Sequence, residues 1–267
     1  MLATSREITA EGHDGVLSGG LRPVYMPWYT DWFGTRYYKL LYRHRNEEDA
    51  KPWVDAILHR TALGRGHRVL DLACGRGRHA HWFNEAGLQV TGVDISEESI
   101  EEARRAVPGA TFLVHDIRTP VPSSEFDLAV CLFTSIGYFD DSADDQRVLA
   151  SAASALKAGG AFVLDLMNPH HVRNNLVPFE ELHLDGVRFR IERSYVDGVV
   201  VKRIQVEENG AVFEFQERVR TISPAEVLNM LDAVGLEVED QTDGPVPRRF
   251  DRETSERCVT WAKKPGP

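Results

Sequence analysis

The sequence predicts an α/β chain: a doubly wound, mostly parallel sheet with an N-terminal helical cap and an inserted antiparallel β-meander. Two observations carry this prediction. From residue 68 to residue 167 short apolar strands alternate with helical stretches, the pattern of βαβ units with right-handed crossovers. Between residues 180 and 222 the alternation stops. Three dipeptides preferred in tight hairpin turns, Asp185-Gly186, Asp197-Gly198 and Asn209-Gly210, separate runs rich in β-branched and aromatic residues. The 267 residues suffice for a core with an elaboration, and they divide as follows. Residues 1–64 form an N-terminal arm and helical cap, 65–175 and 223–267 the doubly wound core, and 176–222 the meander.

Each element has its own warrant. The first residues, MLATSREITAEGHDG, read as a polar arm without the apolar region of a signal peptide. From about residue 24 the chain is aromatic-rich and then helical: Trp53, Val54, Ile57 and Leu58 recur at helical spacing, and Pro52 suits a first helical turn. RVLDLA is a strand. Ala80, Trp82, Phe83 and Ala86 mark a helix that Gly87 closes. LQVTGVDI is the second strand, after which Ser96 caps a helix whose first turn carries Glu97 and Glu98. TFLVHDI and FDLAVCL are the third and fourth strands. Ser142 with Asp145 resembles a capping box, and that helix is expected to end at Gly159-Gly160, before a fifth strand, AFVLDLM. In the meander, Val187, Phe189 and Ile191 alternate with Arg188, Arg190 and Glu192, so one face is apolar. Ser223-Pro224-Ala225-Glu226 opens a last helix with Val227, Leu228, Leu231 and Val234 on its apolar face and Gly235 at its end. LEVED and RCVTWAKK close the sheet.

Composition narrows the function. A net charge of −10 argues against nucleic acid as a partner, because phosphate binding needs a basic face. No stretch is long and apolar enough to cross a membrane. Cys74, Cys131 and Cys258 form no C-x-x-C pair, which points to small buried residues in a reducing, cytoplasmic setting. Asp140, Asp141, Asp144 and Asp145 read as helix-start charge, and the adjacent His170 and His171 do not point the same way on regular backbone, so no metal site is expected.

The segment VLDLACGRGRHA (69–80) raises the question of a cofactor. GRGRHA fits the G-x-G-x-x-A form of the dinucleotide fingerprint, which would make the chain an NAD(P)-dependent oxidoreductase. Three acids stand at strand ends: Asp71, Asp94 and Asp116. Asp94 can accept two ribose hydroxyls, which NAD and S-adenosylmethionine (SAM) both carry. Asp71 discriminates, since a carboxylate beside the loop repels a pyrophosphate. SAM has no phosphate, and its sulfonium and ammonium welcome negative charge. Asp116 can accept from an adenine amino group while the Ile117 N–H serves a ring nitrogen.

Taken together, VLDLACGRGRHA, VTGVDIS, VHDIR and FDLAVCLFTSIGYF resemble the class I SAM-dependent methyltransferase family over roughly residues 65–170 and 223–263. The chain departs from the family's D-x-G-x-G at Ala73, which leaves Gly75 and Gly77 as the permissive backbone. The resemblance implies a Rossmann-like fold and SAM as cofactor. It implies that Asp71 orders the loop and helps hold the methionine end, and that Ala73 offers its carbonyl to the ammonium. Asp94 would bind the ribose, Ile95 would pack on the adenine, and Asp116 would read it. Leu132 and Phe133 would border the sulfonium. FTSIGYF (133–139) is similar to the F-S-S-x-G-[YH] segment of nucleotide-sugar N-methyltransferases, which makes Tyr138 the first candidate for orienting or deprotonating an acceptor. His170 and His171 follow the fifth strand and are the second candidates. WYTDWFGTRYYKLLYRHR (28–45) resembles segments that cap the cofactor: Tyr37, Tyr38 and Tyr42 could close the site, and Arg43 or Arg45 could pair with the methionine carboxylate.

The expected activity is therefore SAM-dependent transfer of a methyl group to a nitrogen or oxygen of a small-molecule acceptor. Alignment supplies most of the acceleration of such a displacement. No D/N-P-P-Y segment follows the fourth strand, which weakens a nucleobase or glutamine amino-methylation reading. An NAD(P)-dependent oxidoreductase and a non-catalytic SAM-binding protein are the alternatives. The meander is expected to cover the acceptor pocket, with a homodimer contact as its second use.

Overall fold

The computed structural model describes residues 28–245 and 248–266, and the polar arm expected at the N-terminus lies outside them. Three helices lead: α1 (Trp28–Phe33), α2 (Arg36–Leu41) and α3 (Glu47–Thr61). The alternating half follows as β1 (Arg68–Leu72), α4 (Arg78–Glu85), β2 (Gln89–Asp94), α5 (Glu97–Ala106), β3 (Thr111–Val114), β4 (Phe126–Cys131), α6 (Ser142–Ala155) and β5 (Leu156–Met167). A short helix, α7 (Pro169–Asn175), leads into β6 (Phe179–Leu184), β7 (Val187–Val196), β8 (Val199–Glu208) and β9 (Ala211–Arg220). The chain then returns through α8 (Pro224–Asp232), β10 (Glu237–Thr242) and β11 (Arg257–Lys263).

Seven strands form one sheet in the order β10-β11-β5-β4-β1-β2-β3. Its β1–β5 half is parallel, whereas β11 runs antiparallel to both β5 and β10. Both faces are covered, as a parallel sheet requires. Val69, Leu128 and Val130 enter one apolar cluster, while Leu70, Leu72, Ala129 and Cys131 enter the other. All three cysteines are buried and unpaired.

The meander is a separate antiparallel sheet, β6-β7-β8-β9. Each of its three turns has both central residues at positive φ (Asp185 50° and Gly186 81°, for example), the backbone that matches hairpin twist. Its apolar face, Val187, Phe189, Ile191, Ile204 and Val206, packs on Trp32, Tyr37 and Leu41 of α1 and α2. The N-terminal cap and the meander, read separately in sequence, share one core.

Four local expectations are corrected. Helix α3 starts earlier than Pro52 suggests: Asn46 caps it by accepting from the Asp49 N–H, so Pro52 lies inside and removes one helical hydrogen bond. Helix α6 is capped by Asp141, which accepts from the Ala143 N–H, not by Ser142. Asp145 turns inward to a tertiary partner. That helix ends at Ala155, and Gly159-Gly160 fall inside β5, where a side chain at Gly160 would crowd the Phe126 carbonyl. Helix α7 was not expected; Asn168 caps it through the His170 N–H, with Pro169 at its first position.

Candidate active site

The loop between β1 and α4 turns on three left-handed residues, Ala73 (φ 55°), Gly75 (φ 53°) and Gly77 (φ 81°). An alanine there costs about 1 kcal/mol of backbone strain. The fold holds it in place: the Cys74 N–H donates to the Val93 carbonyl at 3.0 Å and the Gly77 N–H to the Cys74 carbonyl at 3.0 Å. Asp94 closes the loop by accepting from the Gly75 N–H at 2.9 Å and the Ser96 N–H at 2.8 Å. Burial pushes its carboxyl up, against these backbone bonds.

Asp71 is different. Its Oδ2 is buried and has no hydrogen-bond partner among the described residues. Burial pushes this carboxyl up to about 7, with Arg78 pulling it down and Asp94 adding to the rise. A cationic ligand group would satisfy the orphaned oxygen and ionise the acid. Asp116 is already paired: Arg118 reaches it through Nε at 3.0 Å and Nη2 at 2.6 Å. Burial opposes ionisation of Asp116, but the side-chain and backbone hydrogen bonds from Arg118 together hold it below the usual carboxylate range.

After β4 the backbone makes a second unusual turn, with Phe133 (φ 59°) and Thr134 (φ 58°) both left-handed. Asp165, fully buried on β5, holds it by accepting from the Phe133 N–H at 2.8 Å. Arg257 on β11 fixes that carboxylate with bonds of 2.6 and 2.8 Å and donates to the Thr134 hydroxyl at 3.0 Å. Further on, Gly137 (φ 89°) meets the end of β9. The Arg220 N–H donates to its carbonyl at 2.7 Å, and a Cβ on Gly137 would collide with the Arg220 carbonyl. Asp145 accepts from the Gly137 N–H at 2.6 Å and pairs with the Arg220 guanidinium at 2.6 Å. These clamps set Tyr138 into an aromatic wall, edge-on to Trp28 at 5.3 Å and near Phe33 at 5.7 Å. Burial raises the Tyr138 phenol far above its ordinary range, so it stays protonated.

A cavity of about 210 Å³ opens between these two turns. Asp71, Ala73, Gly75 and Asp94 line one side, and Leu132, Phe133, Tyr38 and Tyr138 the other. A smaller pocket of about 60 Å³ adjoins it, bounded by Asp94, Ile95, Asp116, Ile117 and Tyr138. Ile95 is exposed there, an apolar surface for a flat ring to cover. Gly77 caps α4 rather than lining the cavity.

Other expected residues lie elsewhere. Arg43 points away, to Asp185 in the β6–β7 turn at 3.3 Å; Arg45, whose guanidinium stacks 4.2 Å from the centre of the Tyr42 ring, lines the cavity instead. Tyr37 packs under the meander, its hydroxyl on Glu208 at 3.0 Å. His170 and His171 do not reach the cavity, because Pro169 starts α7 straight after β5. His170 lines a different cavity and meets Glu253 at 3.0 Å. Two further features shape the cavity beyond the sequence motifs: Arg78, over the Phe133 ring at 3.9 Å, and the pair behind Tyr42, the buried Lys202 and the half-buried Glu217.

This fold and site define a nucleoside-cofactor enzyme of the Rossmann-like methyltransferase class. The antiparallel β11 between β5 and β10 departs from the parallel dinucleotide sheet, and the buried Asp71 carboxyl lines the cavity beside the glycine loop, where it would repel a pyrophosphate. Residues 69–160 match the family described as a methyltransferase domain, and the protein is a SAM-dependent methyltransferase. It is 27% identical over 220 residues to a dTDP-3-amino-3,4,6-trideoxy-alpha-D-glucopyranose N,N-dimethyltransferase of Streptomyces venezuelae, covering 78% of this chain and 92% of that protein. It is 33% identical over 108 residues to a dTDP-4-amino-2,3,4,6-tetradeoxy-D-glucose N,N-dimethyltransferase of Saccharopolyspora spinosa, covering 40% of this chain and 43% of that one. In fold it is similar to a SAM-dependent methyltransferase from Clostridium acetobutylicum, with a TM-score of 0.74 at 21% identity over 86% of this chain and 96% of that structure. The oxidoreductase and non-catalytic alternatives find no support in these comparisons.

Proposed function

We propose that this enzyme methylates the amino group of a small nucleotide-linked sugar. The observation that carries this reading is the alignment with the Streptomyces venezuelae N,N-dimethyltransferase, which covers 78% of this chain, a stretch too long to leave out the meander.

The cofactor's chemistry is a methyl group already activated on a sulfonium. The chain's residues hold and align. Asp71, once ionised, and the Ala73 carbonyl receive the methionine ammonium, and Arg45 or Arg78 its carboxylate. Gly75 and Gly77 let the loop backbone approach. Asp94 accepts from the ribose hydroxyls while keeping its loop bonds, Ile95 covers the adenine, and Asp116 with the Ile117 N–H reads its edge. Leu132 and Phe133 border the sulfonium, and Tyr38 and Tyr138 wall the acceptor side. A phenol kept protonated by burial orients an acceptor by hydrogen bonding rather than deprotonating it. The meander acts as a lid. Its apolar face is filled by this chain's own α1 and α2, which favours a lid over a homodimer contact. Three buried, unpaired cysteines favour a reducing cytoplasm, and among the described residues no helix is long and apolar enough to cross a membrane.

The test is incubation with SAM and dTDP-3-amino-3,4,6-trideoxyglucose, followed by mass spectrometry of the sugar nucleotide. One or two added methyl groups on nitrogen are expected. Transfer to hydroxyl acceptors alone would overturn the reading. Tyr138→Phe should lower turnover about 10²-fold with SAM affinity unchanged; wild-type turnover would return Tyr138 to a packing role.

A further inference from the structure

Alternation along β8 turns Lys202, Ile204 and Val206 toward the lid's core, and along β9 it turns Phe215, Glu217 and Val219 the same way. Lys202 and Glu217 are direct cross-strand partners in that register. An apolar pair belongs at such a position, yet this one is charged, and Lys202 is only 8% exposed. Buried ion pairs add little net stability and are expensive to leave half-made. The pair is tied to the active site. Glu217 Oε1 accepts from Trp32 Nε1 at 2.6 Å and from the Tyr42 hydroxyl at 2.7 Å, and its Oε2 lies 3.7 Å from Lys202 Nζ. Lys202 donates to the same Tyr42 oxygen. Tyr42 lines the SAM cavity beside Tyr38 and Tyr138. The charge of Glu217 is felt at all three phenols, opposed at each by Arg45.

We infer that Tyr42 and Glu217 form a proton relay for the acceptor amine, with Lys202 setting its direction. The inference rests on the amine reading above. An amine reaches the site as an ammonium, which has no lone pair to attack a sulfonium methyl. Tyr42 takes the ammonium proton on its oxygen and gives its own hydroxyl proton to Glu217 Oε1. One acceptor N–H bond and the original Tyr42 O–H bond break. One new Tyr42 O–H bond and one Glu217 O–H bond form. The amine gains its lone pair, and the carboxylic acid returns the proton to water when product leaves. Tyr42, which lines the cavity beside Tyr38 and Tyr138, is the catalytic residue of this relay. Lys202 is a positioning residue. By donating to the Tyr42 oxygen it leaves Glu217 as the destination for the Tyr42 proton. Burial pushes the Lys202 ammonium down to about 8 despite Glu217, with Arg193 and Arg45 lowering it further and Glu180 opposing them.

The test compares pH profiles of kcat/KM for wild type, Glu217→Gln and Tyr42→Phe, with SAM and dTDP-3-amino-3,4,6-trideoxyglucose. Both variants should lose about 10²-fold at pH 6.5. The loss should shrink as pH rises through the acceptor amine's own pKa, because the acceptor then arrives already deprotonated. SAM affinity by calorimetry should stay at the wild-type value. Wild-type kcat/KM at pH 6.5 in either variant, or a loss that does not change with pH, would overturn the relay and leave the network a packing device. Should Glu217→Gln fail to fold, Tyr42→Phe, which removes one hydroxyl, decides alone. A wild-type enzyme that methylates hydroxyl acceptors and no amine overturns the amine reading itself, and that outcome is seen before any variant is made.

Discussion

The doubly wound half that carries the glycine loop and the half built on the meander, the proposed lid, are assembled in different ways. In the doubly wound half the glycine loop and the acids at the strand ends are held by bonds that are short in sequence. The Gly75 N–H reaches Asp94 across 19 positions. In the lid half the partners are distant: Trp32 and Glu217 lie 185 positions apart, and Tyr42 and Lys202 lie 160 apart. The difference separates two tasks. A loop that binds one common cofactor is encoded locally and survives changes elsewhere. On the proposed reading, the pocket that selects an acceptor is assembled from remote segments, so it should be open to rebuilding without disturbing that loop.

The sharpest way to break this division is at the seam, the Phe133–Thr134 turn. Arg257→Met leaves the Asp165 carboxylate buried without its guanidinium and should cost about 3 kcal/mol of stability. Urea unfolding measures it, and an unchanged midpoint would show that the turn supports itself. Next comes Asp94→Ala, which should weaken SAM binding by about 1.5–3 kcal/mol, one to two decades in Kd. Calorimetry giving wild-type affinity in a folded variant would remove Asp94 from the cofactor site.

The third effect is a pH dependence confined to the doubly wound half. The Asp71 carboxyl sits at about 7 in the folded protein and 3.8 as the ordinary value, so the folded state binds more protons between those limits. Stability without ligand should therefore fall as pH rises from about 4 to about 7. SAM affinity runs the other way, because only ionised Asp71 pairs with the ammonium: Kd should drop roughly tenfold from pH 6 to pH 7.5, until the ammonium itself deprotonates near 8. A flat profile would mean that Asp71 does not meet the ammonium. The smallest effect sharpens the lid side. Lys202→Met combined with Glu217→Gln should stay within about 1 kcal/mol of wild-type stability, since the neutral amide still accepts from Trp32 Nε1 and the Tyr42 hydroxyl and no charge is left unpaired, whereas Lys202→Met alone should destabilise by stranding Glu217. A double variant weaker than the single one would show that the charges hold the lid together.

The same division governed what could be read in advance. The glycine loop, the three strand-end acids and the three hairpin turns are local patterns, each written in a few consecutive residues. Tertiary choices were hidden. Arg43 and Arg45 are the same residue type two positions apart, and the path of the backbone after α2 decides which one faces the cavity. Ser142 gave way to Asp141 as the cap of α6 while Asp145 turned inward to Gly137 and Arg220, and the Arg220 end of β9 is remote in sequence. Some signals were present and went unread. Asn168-Pro169 is a cap followed by a helix-starting proline, which carries His170 and His171 away from the sheet end. Lys202 is in phase with Ile204 and Val206, the mark of a charge pointing inward.

The Asp165–Arg257 clamp also has a consequence for the order in which the protein becomes competent. Synthesis runs from the N-terminus, and β11 is the last of the described strands to emerge. A nascent chain that already displays Asp71, Asp94 and Asp116 has the cleft for a nucleoside. It lacks the guanidinium that secures the turn before Tyr138, so it has no finished wall against which to align a nucleophile. Methyl transfer is thus expected to wait until β11 has docked, later than cofactor binding.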